Sequence, residues 1–545
     1  MSPMRRAAAL ALLLLPTALQ AAKLRLKPKP VPLRSGLKID LIKIETYNIF
    51  ETRVYPESKL LYRIVNAAHW TTREEVIRRE LLFSQGDGYN PALLVETERN
   101  LRRLPFLRKA DVAAKVNKRG RIDVTVRTYD AWTLELIANF KRAGGSNNWK
   151  AGLADHNLTG QGKNISAVYN NNGASVSRNL SWKDPQFLGR SHLENTLEAT
   201  TGPDSKTFSF GLKRPFYASI SPSALGFKAS YASNNVATYS GQTLTGTVQK
   251  RAIEAGLNYG IALGISTQRN RRLTAGLLHQ DTSYSPFRNF SPDRMPQKEH
   301  LNFLQLGGEW EQQDFIKLKR IQKFTRIEDF NLGFGIFPNV SWSPYIKALS
   351  GTESQALPKV SVRKGLSWAN NLLLLRGDYT STYSNGGNGN RVASVKTFYY
   401  NLRFPRQTLA FQTAYDHGWR LDPSISFPLG EMNGLRGYGL EQFHGDRRLL
   451  FNAEDRIFIM DELWRLFDIG GAAFYDMGYA FPAGTPARIF HLKHSVGLGL
   501  RLAPSRWSGN NPVRIDLARA LNDNGSRSRW SLSILAGHAF GPDSE

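Results

Sequence analysis

One arginine and one tyrosine stand in a glycine-rich segment near the C-terminus, which reads NGLRGYGLEQ from Asn433 to Gln442. Its tip is Arg436-Gly437-Tyr438, and the flanking glycines predict a tight loop because glycine adopts backbone angles that other residues avoid. The planar guanidinium of an arginine can bind a carboxylate through two parallel hydrogen bonds. The chemistry that this loop offers is therefore the recognition of a carboxylate.

Two nearby segments carry carboxylates that such an arginine can bind. Strict alternation in LLFNAEDRIFI (449–459) and AAFYDMGYAF (472–481) places Glu454 and Asp476 on the inner faces of two predicted strands. If the loop folds inward, Arg436 reaches Asp476 and, on the neighbouring strand, Glu454. The spacing of the residues alone is equally compatible with an arginine that is exposed on a surface loop.

Other chemistry has no support in the sequence. It contains no Gly-x-Ser-x-Gly, no His-Glu-x-x-His and no glycine-rich phosphate loop. The histidines are scattered, and the pair His491 and His494 is better explained as the start of a strand than as a metal site. Cysteine is absent, which excludes disulfides and thiolate sites. We therefore predict no enzyme, no cofactor and no metal site.

The N-terminus has the features of an export signal. Residues 1–22 combine two arginines with a short apolar core, Ala7–Leu15, and small residues at Ala21 and Ala22. This pattern predicts a secretory signal peptide, since the core is too short to span a membrane. Residues 23–38 follow as a basic, proline-rich linker that we expect to be extended.

The charge balance is strongly basic, with a formal net charge of +27. A basic surface attracts nucleic acids, acidic polymers or anionic lipids, and a signal peptide argues against nucleic acid. The mean hydropathy is −0.38, and the sequence after the signal has no apolar run long enough for a membrane helix. A membrane β-barrel also gives such an average, because its strands face lipid at only every second residue.

Residues 39–130 read as a small α+β unit. Alternation in Leu41–Ile49 predicts a strand, Leu60–Ala67 suggests a second, and two helices follow, the first preceded by a capping box at Thr71 and Thr72. Two further strands complete the unit. The segment from Arg78 onward, RRELLFSQGDGYNPALLVETERNLRRLPFLRKADV, resembles the POTRA (polypeptide-transport-associated) module, of which we find one copy.

Residues 131–545 contain short alternating segments separated by turns, and no helix. The best strands are the last ones, Val496–Leu502, Val513–Arg519 and Trp530–Phe540, in which apolar and polar or small residues alternate. Apolar-out, polar-in alternation over ~9–11 residues is the pattern of a transmembrane β-strand. We count 18 or 19 candidate strands and predict a transmembrane antiparallel β-barrel.

Several segments of the barrel resemble those of the BamA/TamA-type outer-membrane insertase and two-partner-secretion superfamily, whose members are bacterial surface antigens. They are GLRGYG (434–439), LLFNAEDRIFI (449–459), AAFYDMGYAF (472–481), the strand pair HSVGLGLRLA and PVRIDLARAL, DHNLTGQGK (155–163), SWKDPQFLG (181–189) and KRPFYAS (213–219). The resemblance implies a barrel of about 16 strands in the outer membrane of a Gram-negative bacterium, with the POTRA module in the periplasm. It favours a buried clasp of Arg436, Gly437 and Tyr438 with Asp476 and Glu454.

The resemblance also implies a seam between the first and last strands, here about Thr133–Lys141 and Trp530–Phe540. Such a seam opens sideways and pairs with a client strand. Gly537 and Phe540 are the candidate residues, because glycine weakens a strand and the terminal aromatic marks its end. A small packing position at Gly537 is equally compatible with the sequence.

The implied function is the insertion or translocation of unfolded polypeptides, without a cofactor. The implied partners are these clients, outer-membrane lipids and lipopolysaccharide, and accessory lipoproteins. A porin-like channel or a transporter of lipid or solute is the alternative, and an adhesive barrel that binds lipopolysaccharide is a third possibility.

Overall fold

The computed structural model describes residues 36–50, 59–143, 146–171, 175–240, 243–288, 298–345, 354–384, 387–422, 425–508, 511–522 and 528–542. The predicted signal peptide (1–22) and most of the predicted linker (23–38) lie outside these ranges. Within them a small α+β domain precedes a large barrel.

The small domain is a three-stranded sheet with helices packed against it. Its elements are β1 (Ile39–Tyr47), α1 (Lys59–Ala67), α2 (Glu74–Arg78), α3 (Pro91–Arg103), β2 (Leu107–Val116) and β3 (Ile122–Asp130). The central strand β3 pairs parallel with β1 and antiparallel with β2. Ile77, Leu101 and Val126 are fully buried between sheet and helices. The assignment of this domain as a POTRA module stays a prediction.

Two local expectations for the small domain are wrong. The segment Leu60–Ala67 is part of helix α1 and not a strand. Thr72 does not cap α2, whose N-cap residue is Arg73. Instead Thr72 is buried, its backbone N–H donates to Asp130 at 2.7 Å, and its hydroxyl accepts from Asn157 of the barrel at 2.9 Å. No described helix is long and apolar enough to cross a membrane.

The rest of the described chain is β-structure. Its strands are β4 (Leu134–Ala143), β5 (Ser146–Leu158), β6 (Lys163–Asn171), β7 (Val176–Asp184), β8 (Glu194–Thr201), β9 (Ser205–Arg214), β10 (Ser223–Ser240), β11 (Thr243–Ala262), β12 (Arg269–Arg288), β13 (Glu299–Gln312), β14 (Phe315–Leu318), β15 (Glu328–Asn331), β16 (Gly335–Ser343), β17 (Gln355–Trp368), β18 (Asn371–Ser384), β19 (Gly387–Asn401), β20 (Gln407–Trp419), β21 (Phe427–Leu429), β22 (Phe443–Gly445), β23 (Arg447–Leu463), β24 (Phe467–Phe481), β25 (Lys493–Pro504), β26 (Val513–Ala520) and β27 (Trp530–Ala536).

The predicted closed barrel is confirmed, and the expected number of strands is wrong. In the described residues, 20 antiparallel strands form the barrel, and the two short pairs β14–β15 and β21–β22 stand apart from it. The family-like motifs at 155–219 and 434–521 lie near the two ends of the barrel sequence. They carry no information on how many strands the chain between them forms, which here includes β10 to β20.

The two faces of the barrel wall differ in chemistry. Leu153, Leu197 and Leu498 are exposed on the outside, 54 %, 47 % and 68 % respectively. Alternate residues of a strand face opposite sides of the wall, and on β24 and β26 Asp476 and Asp516 point into the lumen and are buried. The wall therefore has the apolar outer face and polar inner face of a membrane-spanning barrel.

The small domain is docked on one end of the barrel through charged and polar contacts. Arg102 on α3 makes a bidentate pair with Asp329, at 2.7 and 3.0 Å. Glu96 accepts hydrogen bonds from the backbone N–H and the hydroxyl of Ser219, at 2.8 and 2.5 Å. These barrel residues lie on the β14–β15 hairpin and the β9–β10 turn, so the docked domain covers this end.

Two inserted segments, which we call the plug, enter the lumen at the same end. They are the β14–β15 hairpin region (313–334) and the C-terminal tail (537–542). Arg456 on β23 holds both, since its guanidinium donates to the carbonyl oxygens of Ile321 at 2.5 Å and Phe540 at 3.0 Å. Phe324 packs edge-on against Phe458 of the wall, with ring centroids 4.8 Å apart.

The tail corrects the expectation that Phe540 ends the last strand at the seam. Strand β27 ends at Ala536, and Gly537 has a φ of +83°, which turns the chain out of the ladder. Phe540 then packs in the lumen with residues of β18 and β19, and only 3 % of its surface stays exposed. Burial of the aromatic ring in this apolar cluster is favourable.

We predict that Phe540→Ala loosens the plug. The lost ring leaves a cavity that costs about 3–5 kcal/mol locally, so Lys319 and Lys323 of the hairpin become sensitive to trypsin in the detergent-solubilised protein. Phe490→Ala is the control, because Phe490 is 73 % exposed in the β24–β25 connection. Equal cleavage of both variants would contradict a structural role of the tail.

A second prediction concerns Glu328 of the hairpin, whose carboxylate accepts the backbone N–H groups of Ile321 and Gln322 at 2.9–3.1 Å. Burial raises the pKa of Glu328 to about 7, although these hydrogen bonds oppose the shift. The folded protein therefore favours the protonated form. The stability that the hairpin gains from the raised pKa of Glu328 is fully present below the ordinary pKa of 4.5, and it is lost as pH rises through about 7.

Hydrogen exchange of the segment 319–327, corrected for intrinsic rates, should accordingly increase between pH 5 and pH 8 beyond that of the barrel strands. Glu328→Gln should remove this dependence, whereas Glu441→Gln, at an exposed position, should retain it. A Glu328→Gln profile identical to the wild type would exclude Glu328 as the titrating group.

Candidate functional site

The connection between β20 and β23 folds into the lumen. At its base β21 and β22 pair, with Leu429 opposite Phe443. Beyond this pair Leu435, Arg436 and Tyr438 are buried, with exposures of 0 %, 2 % and 1 %. The Arg-Gly-Tyr tip is thus an interior element of the barrel and not a surface loop.

Arg436 binds three carboxylates, and we call the four residues the clasp. Its Nε and Nη2 donate to the two oxygens of Asp476 at 2.7 and 2.8 Å, which is a bidentate pair. Its Nη1 donates to Glu454 at 3.3 Å and to Asp516 at 3.2 Å. The guanidinium also lies over the ring of Phe474, 3.4 Å from its centroid. One loop residue is therefore attached to three strands, β23, β24 and β26.

Three further arginines surround the carboxylates of the clasp. Arg501 donates to Asp516 at 2.5 Å and to Glu454 at 3.3 Å, Arg456 donates to Glu454 at 3.3 Å, and Arg514 donates to Asp516 at 3.0 Å. Every carboxylate thus has at least one cationic partner inside the wall. In such a buried network the loss of one partner leaves an uncompensated charge.

The glycines on either side of Arg436 are required by close contacts. Gly437 has a φ of +88°, and a Cβ there would lie 2.9 Å from the backbone nitrogen of Ala520. Its own N–H donates to Glu431 at 2.8 Å and to the hydroxyl of Ser531 at 3.0 Å. Because Ser531 lies on β27, the loop also reaches the last strand of the barrel.

Tyr438 anchors the far side of the loop. Its ring packs in an apolar cluster that includes Leu429, Leu450 and Ala520. Its hydroxyl donates to the backbone oxygen of His494 at 2.8 Å, at the start of β25. Arg436 and Tyr438 together connect the loop to every strand from β23 to β26.

The seam between β27 and β4 is short. Among the described residues these strands pair at Phe140–Ile534, Lys141–Ser533 and Arg142–Leu532 alone, whereas β26 and β27 pair from Val513–Ala536 to Arg519–Trp530. Towards the docked domain the side chain of Asn139 accepts the backbone N–H of Ala536 at 3.2 Å, in place of a ladder bond. The lower half of β4, from Leu134, has no partner on β27.

The predicted site residues thus fall into two groups. Arg436, Asp476 and Glu454 meet in the clasp, and Gly437 and Tyr438 hold its loop in place. Gly537 adjoins the seam at the end of β27, whereas Phe540 lies in the plug. The roles proposed for them stay predictions.

Sequence reasoning missed the third carboxylate, Asp516, and the arginines around it. The alternation in Val513–Arg519 already placed Asp516 on an inner face. What that pattern lacks is the register that brings β26 within reach of the loop.

Of the two histidines singled out in the sequence, His491 precedes β25 and His494 lies in it. His494 Nδ1 lies 2.6 Å from the hydroxyl of Tyr475. In the parts of the chain that the structure describes, no group of three or more His, Asp and Glu residues is arranged to hold a metal ion.

The similarity of this chain to known proteins lies in its three-dimensional fold. No protein-family model matches it, and no curated protein does. Among solved structures it resembles CdiB from Escherichia coli, with 12 % identity, a TM-score of 0.45 and coverage of 98 % of this chain and 96 % of that one. CdiB from Acinetobacter baumannii has 12 % identity and a TM-score of 0.44, and the match covers 92 % of this chain and 73 % of that one. BamA from Haemophilus ducreyi lacking POTRA domains 1–3 has 11 % identity and a TM-score of 0.40, and the match covers 92 % of this chain and 85 % of that one. All three TM-scores lie below 0.5.

We predict that Arg436→Ala lowers the free energy of unfolding by about 3–5 kcal/mol, because it leaves Asp476 unpaired in the lumen. The barrel should still form and remain heat-modifiable on gels. In a double-mutant cycle with Asp476→Asn, the two losses should be clearly less than additive. The measurement is urea unfolding in detergent micelles.

The control is Arg488→Ala in the exposed β24–β25 connection, which should change stability by less than about 0.5 kcal/mol. Additive losses for Arg436→Ala and Asp476→Asn would show that the two side chains are not energetically coupled.

Proposed function

We propose that this protein is an outer-membrane assembly factor that inserts polypeptides into the membrane or translocates them across it. The barrel spans the membrane, and the small domain is a periplasmic POTRA module. The clients are unfolded polypeptides, and accessory lipoproteins can act with the module. No catalytic residue or cofactor is needed, since folding of the client drives the step.

The apolar outer face of the barrel supports the membrane location. The outward residues on β11 form a continuous apolar series, which consists of Ile253, Ala255, Leu257, Tyr259 and Ile261. This length matches the ~9–11 residues that a tilted strand needs to cross the hydrocarbon core. In this arrangement the docked domain lies on the periplasmic side and the β20–β23 connection enters the lumen from the cell surface.

The observation that carries the proposal is the short seam. An unpaired strand edge such as the lower half of β4 offers N–H and C=O groups to another strand. In a barrel with no such function, full pairing of the first and last strands would satisfy these groups in lipid. A client strand that pairs with β4 would satisfy them in the same way.

The clasp supports the same proposal, because it makes one side of the seam rigid. Arg436, Tyr438 and Gly437 tie β23 to β27 together from inside the lumen, so an opening movement is confined to the β27–β4 junction. The small domain adds two edge strands, β1 and β2, close to this end of the barrel. Either edge can bind an extended polypeptide by strand addition before it reaches the seam.

A passive porin-like channel is the alternative, and the plug does not favour it. The hairpin region 313–334 and the tail fill the periplasmic end of the lumen, where a porin has an open passage. A transporter of lipid or solute would need the plug to move during each cycle.

The test is a disulfide across the seam. The chain has no native cysteine, so Phe140→Cys with Ile534→Cys adds the only thiols. Directly opposed residues of antiparallel strands have Cα separations of about 4.5–5.5 Å, which suits a disulfide. We expect the oxidised variant to lose at least about tenfold in client assembly and reductant to restore it, since a closed seam cannot accept a strand.

The control disulfide joins Leu517→Cys and Leu532→Cys, a pair on β26 and β27 inside the rigid block. It should leave assembly unchanged when oxidised. Full activity of the locked seam would overturn the proposal, and a strong conductance without any effect on clients would favour the channel. Depletion of the protein followed by proteomics then separates insertion, which removes many barrels from the membrane, from secretion, which removes few proteins from the medium.

A further inference from the structure

Three exposed cations form a row across the outer wall, on the side of the barrel away from the small domain. They are Arg178 on β7, Lys206 on β9 and Arg251 on β11. The register joins them through two small hydroxyl residues, because Arg178 pairs with Thr201, Thr201 with Lys206, Lys206 with Ser233, and Ser233 with Arg251. With strands about 4.8 Å apart, successive cations lie about 10 Å apart and the row extends about 19 Å.

Next to this row, towards the small domain, the wall has an apolar groove. The adjoining row of outward residues is Leu180, Ala199, Phe208, Tyr231 and Ile253, and the row beyond it includes Trp182, Leu197 and Phe210. Together they line a concave space of about 680 Å³ on the outside of the barrel. The outward side chains around this space are apolar, so acyl chains can pack against them.

The cations of the row have no carboxylate partners in the described part of the chain. Arg251 donates to the side-chain oxygen of Gln249 at 2.9 and 3.2 Å, and this partner is neutral. On the same wall but at its other end, Lys183 and Lys213 share Glu194, at 2.8 and 2.9 Å. Like charges in a row repel one another, and an anion between them would remove this cost.

We propose that the row and the groove together bind a phosphorylated glycolipid with several acyl chains and at least two phosphate groups. The acyl chains occupy the groove, and the phosphates lie on Arg178, Lys206 and Arg251. The hydroxyls of Thr201 and Ser233 donate to phosphate oxygens between the cations. A single phosphate cannot reach both ends of a row about 19 Å long, which selects a head group with two.

The position of the row agrees with this ligand. On β11 the apolar outward series begins at Ile253, and Arg251 is the next outward residue beyond it. The row therefore lies at the boundary of the hydrocarbon core, where phosphates of a lipid are found. The assignment to the cell-surface leaflet rests on the orientation given under the proposed function, whereas the binding chemistry does not.

The test is native mass spectrometry of the full chain in a neutral detergent, titrated with bis-phosphorylated lipid A. The variant Arg178→Gln/Lys206→Gln/Arg251→Gln should bind it more weakly by a factor on the order of a hundred, since each cation near the surface contributes about a tenfold or smaller factor. A variant of equal charge change, Lys115→Gln/Lys118→Gln/Arg119→Gln, alters exposed residues of the small domain and should bind as the wild type does. Heat-modifiability on gels checks that both variants are folded.

Three other lipids define the specificity. Monophosphorylated lipid A and phosphatidylglycerol should bind at least about tenfold more weakly than the bis-phosphorylated lipid, and phosphatidylcholine more weakly still. Phe208→Ser, in the groove, should reduce affinity for all of them. Unchanged binding by the triple cation variant, or equal binding of phosphatidylcholine, would overturn the proposal. Equal binding of phosphatidylglycerol would overturn the assignment to a glycolipid with two phosphates. Because no client is present, this result is independent of the outcome of the seam experiment.

Discussion

The buried guanidinium of Arg436 is the charge on which the arrangement of the barrel interior depends. A cation inside the wall is tolerated only where carboxylates and hydrogen-bond acceptors surround it. Three strands supply them, with Glu454 on β23, Asp476 on β24 and Asp516 on β26. This requirement ties the loop to the wall, and it ties the registers of these strands to one another, because a shift of one residue would turn each carboxylate to the outside.

The clasp divides the barrel into parts with different mechanical properties. From β23 to β27 the wall is held from inside by the loop, through Arg436, Tyr438 and the contact of Gly437 with Ser531. Immediately beyond β27 the seam has a short ladder and one hydrogen bond from the backbone N–H of Ala536 to the side chain of Asn139. Stability differs between neighbouring parts of one fold where backbone pairing differs, and movement is expected where pairing is least. The seam is that place in this barrel.

The plug and the Arg-Gly-Tyr loop enter the lumen from opposite ends. Arg456 links these two devices, because it bonds to Glu454 of the clasp and to the carbonyl groups of Ile321 and Phe540 in the plug. A displacement of the tail would therefore change the hydrogen bonding of Arg456, and with it the surroundings of Glu454 in the clasp. Some of the many cationic side chains of this protein are paired with carboxylates inside the barrel. Others lie on the surface, where the cationic row on β7, β9 and β11 stands beside an apolar groove.

Local patterns in the sequence determined the barrel class, the inner position of Glu454 and Asp476, and the tight turn around Arg436, because alternation and glycine placement act over a few residues. Several features depended on the tertiary structure. The number of strands follows from how the middle of the chain closes, the place of Asp516 in the clasp follows from the register of β26, and the helix at Leu60–Ala67 follows from packing that its apolar residues alone do not specify. Phe540 does not continue the last strand, because the chain turns at Gly537 and the ring packs in an apolar cluster inside the barrel. That cluster exists only once the barrel has closed. The row of Arg178, Lys206 and Arg251, far apart in sequence, likewise exists only because antiparallel pairing sets these residues side by side.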